Sequence, residues 1–137
     1  MTVRILVVDD SSLQRRAIAT LLAPYDCAIE EAADGAAGLC AVRAAPPDLV
    51  LLDYNMPVMD GLGFLRELRA DPAISKVVVV MLTANESPSV LSAAARLRVR
   101  DYLLKPCEGA VLTAKLSRLV PLRRRDGQPQ GTDLPHE

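Results

Sequence analysis

Asp53 closes an apolar run, Leu49-Val50-Leu51-Leu52, and is followed by Tyr54-Asn55-Met56-Pro57. The run is short, leucine-rich and preceded by Pro46-Pro47, so it reads as a buried parallel strand. A carboxylate at the C-terminal end of such a strand lies where open α/β sheets place their ligands. A second run, Val3 to Val8, ends the same way in Asp9-Asp10. Three carboxylates at neighbouring strand ends repel one another, and a cation among them relieves that repulsion. A third run, Val77 to Leu82, ends in Thr83, and a fourth, Tyr102 to Leu104, ends in Lys105-Pro106. The strand ends thus offer three acids, a hydroxyl and an ammonium group.

The segments between these runs read as helices. Ser11-Ser12-Leu13-Gln14 is a capping box, with Ser11 as cap and Gln14 reaching back. The helix it opens carries Leu13, Ala17 and Leu21 at helical spacing, and Pro24 ends it. Cys27 to Ala32 is a weaker strand whose acids suit a sheet edge. Asp34-Gly35 turns into a helix over Ala36 to Ala44, broken by Pro46-Pro47. A third helix runs from Gly61 or Leu62 to Ala70, closed by Asp71-Pro72. Ser87-Pro88, a cap followed by proline at the first helical position, opens a helix to Leu97. A last helix spans Glu108 to Leu122. Five βα units imply parallel strands joined by right-handed crossovers, with two helices on one face and three on the other. Residues 123–137 have almost no apolar content and read as a disordered tail after a domain of residues 1–122. The Arg123-Arg124-Arg125 triplet reads as solvated cations at a helix C-terminus.

Asp9-Asp10, Asp53, Met56-Pro57, Asp60-Gly61, Thr83-Ala84 and Lys105-Pro106 together resemble the receiver domain of two-component response regulators, over about residues 3 to 120. The resemblance implies a flavodoxin-like, doubly wound sheet of five parallel strands in the order 2-1-3-4-5, with five helices. It implies phosphoryl transfer to Asp53 from a sensor histidine kinase or histidine phosphotransfer protein. The chain would catalyse its own phosphorylation and slow dephosphorylation, but act mainly as a signalling switch toward an unnamed target. Mg²⁺, which prefers oxygen ligands, would sit on Asp9, Asp10, Asp53 and the backbone carbonyl of Asn55. Lys105 and Thr83 would contact phosphoryl oxygens, joined by the Ala84 N–H. Tyr102 would be the aromatic switch that turns inward as Thr83 moves. Lys105-Pro106 would be cis, and Gly61 would allow close backbone approach. Arg98 stands where the family often has glycine after its fourth helix, so a positive φ there would be strained. Arg98 and Arg100 lie on or near the partner-facing surface of residues 87 to 120 and suit an acidic patch.

Bulk properties narrow the alternatives. The chain has 137 residues, 16 basic and 17 acidic, and a net charge of −1. That balance, with no tryptophan and only Phe64, Tyr25, Tyr54 and Tyr102 as aromatics, gives no support to nucleic-acid binding. Cys27, Cys40 and Cys107 lack CxxC spacing and the sole histidine is His136, so neither a zinc site nor a disulfide framework is expected. No signal-peptide pattern or membrane-length run is present, which points to a cytoplasmic protein. Asn85-Glu86-Ser87 is then a chance sequon. A flavodoxin-like cofactor binder would have its phosphate repelled by Asp9-Asp10. A Rossmann enzyme lacks its G-x-G-x-x-G, and a haloacid-dehalogenase-type phosphatase would need an acid where Asn55 stands. A phosphorylation-independent pseudo-receiver and a phosphate sink remain as alternative uses of the same fold.

Overall fold

The computed structural model describes residues 2–84 and 87–125. Ten elements alternate: β1 (Val3–Val8), α1 (Ser12–Leu22), β2 (Cys27–Ala32), α2 (Gly35–Ala44), β3 (Leu49–Asp53), α3 (Gly61–Ala70), β4 (Val79–Thr83), α4 (Pro88–Arg96), β5 (Asp101–Leu104) and α5 (Gly109–Ser117). The strands form one parallel sheet in the order β2-β1-β3-β4-β5. Strand alternation divides the core. Ile5, Val7, Leu51, Leu82 and Leu103 pack under α1 and α5, while Leu6, Val8, Leu52 and Met81 pack under α2, α3 and α4. Two layers of helices on a fully covered sheet explain why β3 and β4 are buried at every position.

The caps are local. Ser11, Asp34, Asp60 and Ser87 accept from Gln14 N, Ala37 N, Gly63 N and Val90 N at 3.1, 2.7, 2.9 and 3.3 Å. The capping box is only half formed. The Ser11 N–H donates to Asp9 Oδ1 at 2.9 Å and not to Gln14. That draws the start of α1 onto the strand-end acid.

Four expectations are corrected. On α1, Ile18 and Leu22 are buried and Leu21 packs partly buried beside them, whereas Leu13 is 75% exposed. The last helix ends at Ser117; Val120 and Leu122 are buried beyond it in irregular chain. β4 begins at Val79, after a loop that holds Val77 and Val78. Arg123–Arg125 are docked against the α1–β2 connection: Asp26 N donates to Arg123 O at 2.7 Å and Arg125 N to Pro24 O at 2.8 Å. Arg125 also donates to the carbonyls of Ala23 and Cys27. The sequon and residues 126–137, with His136, lie outside the described residues, apart from Ser87.

Among the described residues, two non-glycine residues have positive φ: Val58 at 69° and Arg98 at 64°. Each costs roughly 1 kcal/mol or more for an L side chain. Arg98 follows α4 and its carbonyl accepts from Arg69 Nη2 at 3.1 Å. Arg69 donates as well to the carbonyls of Leu97, Ser75 and Val77, at 2.7–2.9 Å. One guanidinium therefore joins the end of α3, the loop before β4 and the loop before β5.

Candidate functional site

β1 and β3 are paired neighbours, and the order reverses direction between them. A crevice opens at the carboxyl ends of strands where that reversal occurs. Asp9 directly follows β1, Asp53 is the last residue of β3, and Lys105 directly follows β5. The strand alternation, continued by one residue, carries all three to the same side of the sheet as Ile5, Leu51 and Leu103. They meet there. Lys105 Nζ lies 2.5 Å from Asp53 Oδ1 and 3.9 Å from Asp9 Oδ2.

Asp9 and Asp53 are 1% and 2% exposed, whereas Asp10 is exposed. Asp9 Oδ2 and Asp53 Oδ1 are buried with no aligned hydrogen-bond donor. Lys105 satisfies Asp53 Oδ1 by charge, at short range but without hydrogen-bond alignment. Burial pushes the Asp9 carboxyl above its ordinary value of 3.8; the Ser11 N–H opposes this, the Asp53 charge adds to it, Lys105 opposes and Asp10 adds. One ammonium thus faces three carboxylates, an arrangement with a surplus of negative charge in a desolvated place.

A cation would offset that surplus. Carboxylate oxygens of Asp9, Asp10 and Asp53 all lie within 4.8 Å of one another. Two oxygens bound to one Mg²⁺ are at most about 4 Å apart, so small adjustments suffice. The orphaned acceptors and the all-oxygen donor set fit a hard divalent ion. Asn55 is exposed in the loop after β3, so its backbone can join such a set.

The other sequence-derived residues are placed as follows. Thr83 ends β4, 1% exposed, and Ala84 after it is exposed. Tyr102 is 37% exposed on β5, in register with Met81 and thus on the same sheet face as Thr83. Lys115 Nζ holds it outward, 5.4 Å from the ring centroid and 2.9 Å from the Tyr102 carbonyl. The Lys105–Pro106 peptide is cis. Gly61 N donates to Tyr54 O at 2.8 Å, and a Cβ on Gly61 would stand 2.9 Å from Tyr54 Cα. Only a glycine lets α3 start this close to the backbone behind Asp53. Arg98 and Arg100 stand before the N-terminal end of β5, at the opposite end of that strand from Lys105.

Arg15 is a positioning residue that the sequence did not disclose. Its Nη1 donates to the Asp9 carbonyl at 2.6 Å, while its Nε donates to Glu31 at 2.8 Å. It braces the turn that carries both acids against β2. Its place one turn into a helix after Asp9-Asp10 is the only local signal.

Comparison with known proteins agrees with this geometry. The response regulator receiver domain family matches residues 5–117. Chemotaxis protein CheY-3 of Vibrio cholerae is 35% identical over 117 residues, which cover 85% of this chain and 90% of that protein. The probable transcriptional regulator ycf27 of Porphyridium aerugineum is 35% identical over 97% of this chain, but only 53% of its own length is covered. Among solved structures, chemotaxis protein CheY4 of Vibrio cholerae superposes with a TM-score of 0.82 at 29% identity, covering 88% of this chain and 100% of that one. A putative response regulator from Chloroflexus aurantiacus gives 0.81 at 25% identity. With the strand-end acids, the facing lysine and the 2-1-3-4-5 sheet, these matches show that the chain belongs to the response regulator receiver domain family.

Proposed function

We propose that Asp53 is the phosphoacceptor of this receiver, taking a phosphoryl group from a phosphohistidine on a sensor kinase or phosphotransfer protein. The observation that carries this is the buried Asp53 carboxylate with Lys105 at 2.5 Å and two further acids beside it. No carboxylate would be buried in such company for packing alone. A carboxylate oxygen of Asp53 attacks phosphorus and the donor imidazole leaves with the bond electrons, giving an aspartyl phosphate. Lys105 then moves its charge from the free carboxylate to a phosphoryl oxygen, as a flexible point charge can. The Thr83 hydroxyl and the Ala84 N–H donate to other phosphoryl oxygens. Asp9, Asp10, Asp53 and the Asn55 carbonyl would hold Mg²⁺, which would supply charge neutralisation for the phosphoryl oxygens. Arg15 and the Ser11 N–H keep Asp9 oriented throughout.

Switching follows from the same contacts. Thr83 drawn toward the phosphoryl group leaves room on its sheet face for Tyr102, which gives up its outward contact with Lys115. A preference of a few kcal/mol for the inward arrangement is enough to shift the population. The reading places the protein in a cytoplasmic two-component phosphorelay. Among the described residues, no helix is long and apolar enough to cross a membrane.

The test is intact-mass analysis after incubation with Mg²⁺ and a small phosphodonor such as acetyl phosphate. Expected is one phosphoryl adduct, lost with EDTA and lost in Asp53→Asn. An adduct that persists in Asp53→Asn and without metal overturns the assignment. Amide NMR with beryllofluoride separates the roles: shifts that spread from the metal loops to residues 87–120 support a switch, and shifts confined to the loops support a phosphate sink.

A further inference from the structure

At the end of the sheet opposite Asp53, a cleft of about 220 Å³ opens beside the N-terminal ends of β4 and β5. Its charged lining is Arg69, Lys76, Arg98 and Arg100, with Ser75 and Val77-Val78 completing the wall, and no acid is among them. A chain with net charge −1 has no compositional reason to gather four cations around one hollow. Nearby carboxylates are committed elsewhere. Asp71 pairs with Arg43 and caps Ala73 N; Asp101 pairs with Lys115; Asp48 accepts from Arg4 N. Among the described residues, Lys76, Arg98 and Arg100 have no ion pair. Lys76 and Arg100 side chains make no hydrogen bond, and Arg98 makes one long one, to Ser75 O at 3.4 Å.

Two further observations give the cleft a built character. Arg69 is fixed in its floor by four carbonyls and still feels repulsion from Arg98, which, after burial, lowers its pKa. Arg98 holds a φ of 64°, a conformation glycine adopts at no steric cost. An arginine kept at a strained position, with its fork of donors nearly unused, has a use for those donors. Planar guanidinium forks match phosphate oxygens two at a time, and an ammonium adds a point charge. The hollow is smaller than the roughly 300 Å³ at which clefts take whole drug-sized ligands, which suits one or two phosphoryl units.

We infer that this cationic cleft between the α3–β4 and α4–β5 loops is a second anion site, binding a phosphate or pyrophosphate group of a small ligand by Arg98, Arg100 and Lys76. It is independent of the phosphoacceptor and lies at the other end of the sheet. Because the α4–β5 loop is one wall, an occupant tightens the segment that leads into Tyr102.

The experiment is titration of the full chain carrying Asp53→Asn, in EDTA, with sodium pyrophosphate, against sodium chloride of equal ionic strength and a tri-glutamate peptide. Amide shifts and calorimetry are read together. Expected is a saturable response at residues 69, 75–78 and 98–100, with a midpoint below about 1 mM. Arg100→Ala weakens it about tenfold, the size of one charge-assisted hydrogen bond. Arg98→Gly weakens it as much while raising the melting temperature, since glycine removes the strain; a loss of folding cannot then explain a loss of binding. An unchanged midpoint in both variants, a response equalled by chloride, or binding of the peptide alone would each overturn the inference.

Discussion

Two glycines of the same helical turn should respond to alanine in opposite ways. A Cβ on Gly61 would meet Tyr54 Cα at 2.9 Å and Asp53 O at 3.1 Å, both backbone atoms. Comfortable carbon–carbon separation is about 3.5–4.0 Å, so α3 and the end of β3 must part by about half an ångström or more. Overpacking of this kind costs about 1–3 kcal/mol. For a chain of this size each kcal/mol lowers the melting temperature by roughly 3–4 °C, which gives a drop of about 3–12 °C for Gly61→Ala. On Gly63 the new Cβ meets Met59 Cγ at 3.2 Å and the Asp60 carboxylate at 3.6 Å. Met59 is half-buried and unbranched and can rotate away. Replacing a helical glycine gains up to about 1 kcal/mol, so Gly63→Ala should melt at or a few degrees above the parent. Thermal melts followed by circular dichroism decide the sign of each change. Phosphoryl incorporation gives a second reading: the displaced backbone behind Asp53 should slow Gly61→Ala about tenfold or more, since misplacement of this order is costly to in-line chemistry. Equal melting shifts for the two variants, or a Gly61→Ala within about 1 °C of the parent, would refute the close-approach argument.

Three other outcomes follow from the structure. In EDTA, Asp10→Ala should melt higher than the parent because one of three clustered charges is gone, and Mg²⁺ should stabilise the parent and Cys27→Ala but not Asp10→Ala; a destabilised metal-free Asp10→Ala would show that the acids do not strain the fold. Arg43 and the Ala73 N–H hold the Asp71 carboxyl below 3.8; a depressed folded value means stability present above the unfolded pKa and lost as pH falls through the folded one, so Arg43→Met should raise the Asp71 titration midpoint seen by carboxyl NMR. Leu22→Ala should cost about 2–5 kcal/mol in urea unfolding and Leu13→Ala less than about 0.5 kcal/mol, and comparable costs would contradict the buried face of α1.

The placement of the acids at strand ends was legible because two separate signals coincide at each position. Leu49 to Leu52, and Val3 to Val8 apart from Arg4, are apolar without alternation, the mark of strands covered on both faces, and each run stops at an acid. The face of α1 was not legible. Leu13-Ala17-Leu21 and Ile18-Leu22 are both spaced for one side of a helix, and only contact with α5 and the sheet buries Ile18 and Leu22, tucks in Leu21 and leaves Leu13 out. Hydropathy also misplaces Arg123–Arg125, which are held by main-chain bonds and carbonyl contacts that apolar content does not register. Arg15 reaches Glu31 across 16 residues of sequence and Arg69 reaches Arg98 across 29, separations that a local pattern does not register. Arg98 was marked by its place after the fourth helix, and its φ of 64° is the strain that place demands.

The four-carbonyl clamp of Arg69 gives α4 a fulcrum. Two of its bonds end on Leu97 and Arg98, at the trailing end of that helix. Any displacement of α4 that keeps them is a swing about Leu97, with the Ser87 end travelling furthest. Nine residues at 1.5 Å rise make a lever of about 13 Å, so a tilt of ~10° carries the leading end about 2 Å. The arm thus amplifies motion where it is nearest the strand end bearing Thr83 and suppresses it beside the cationic cleft.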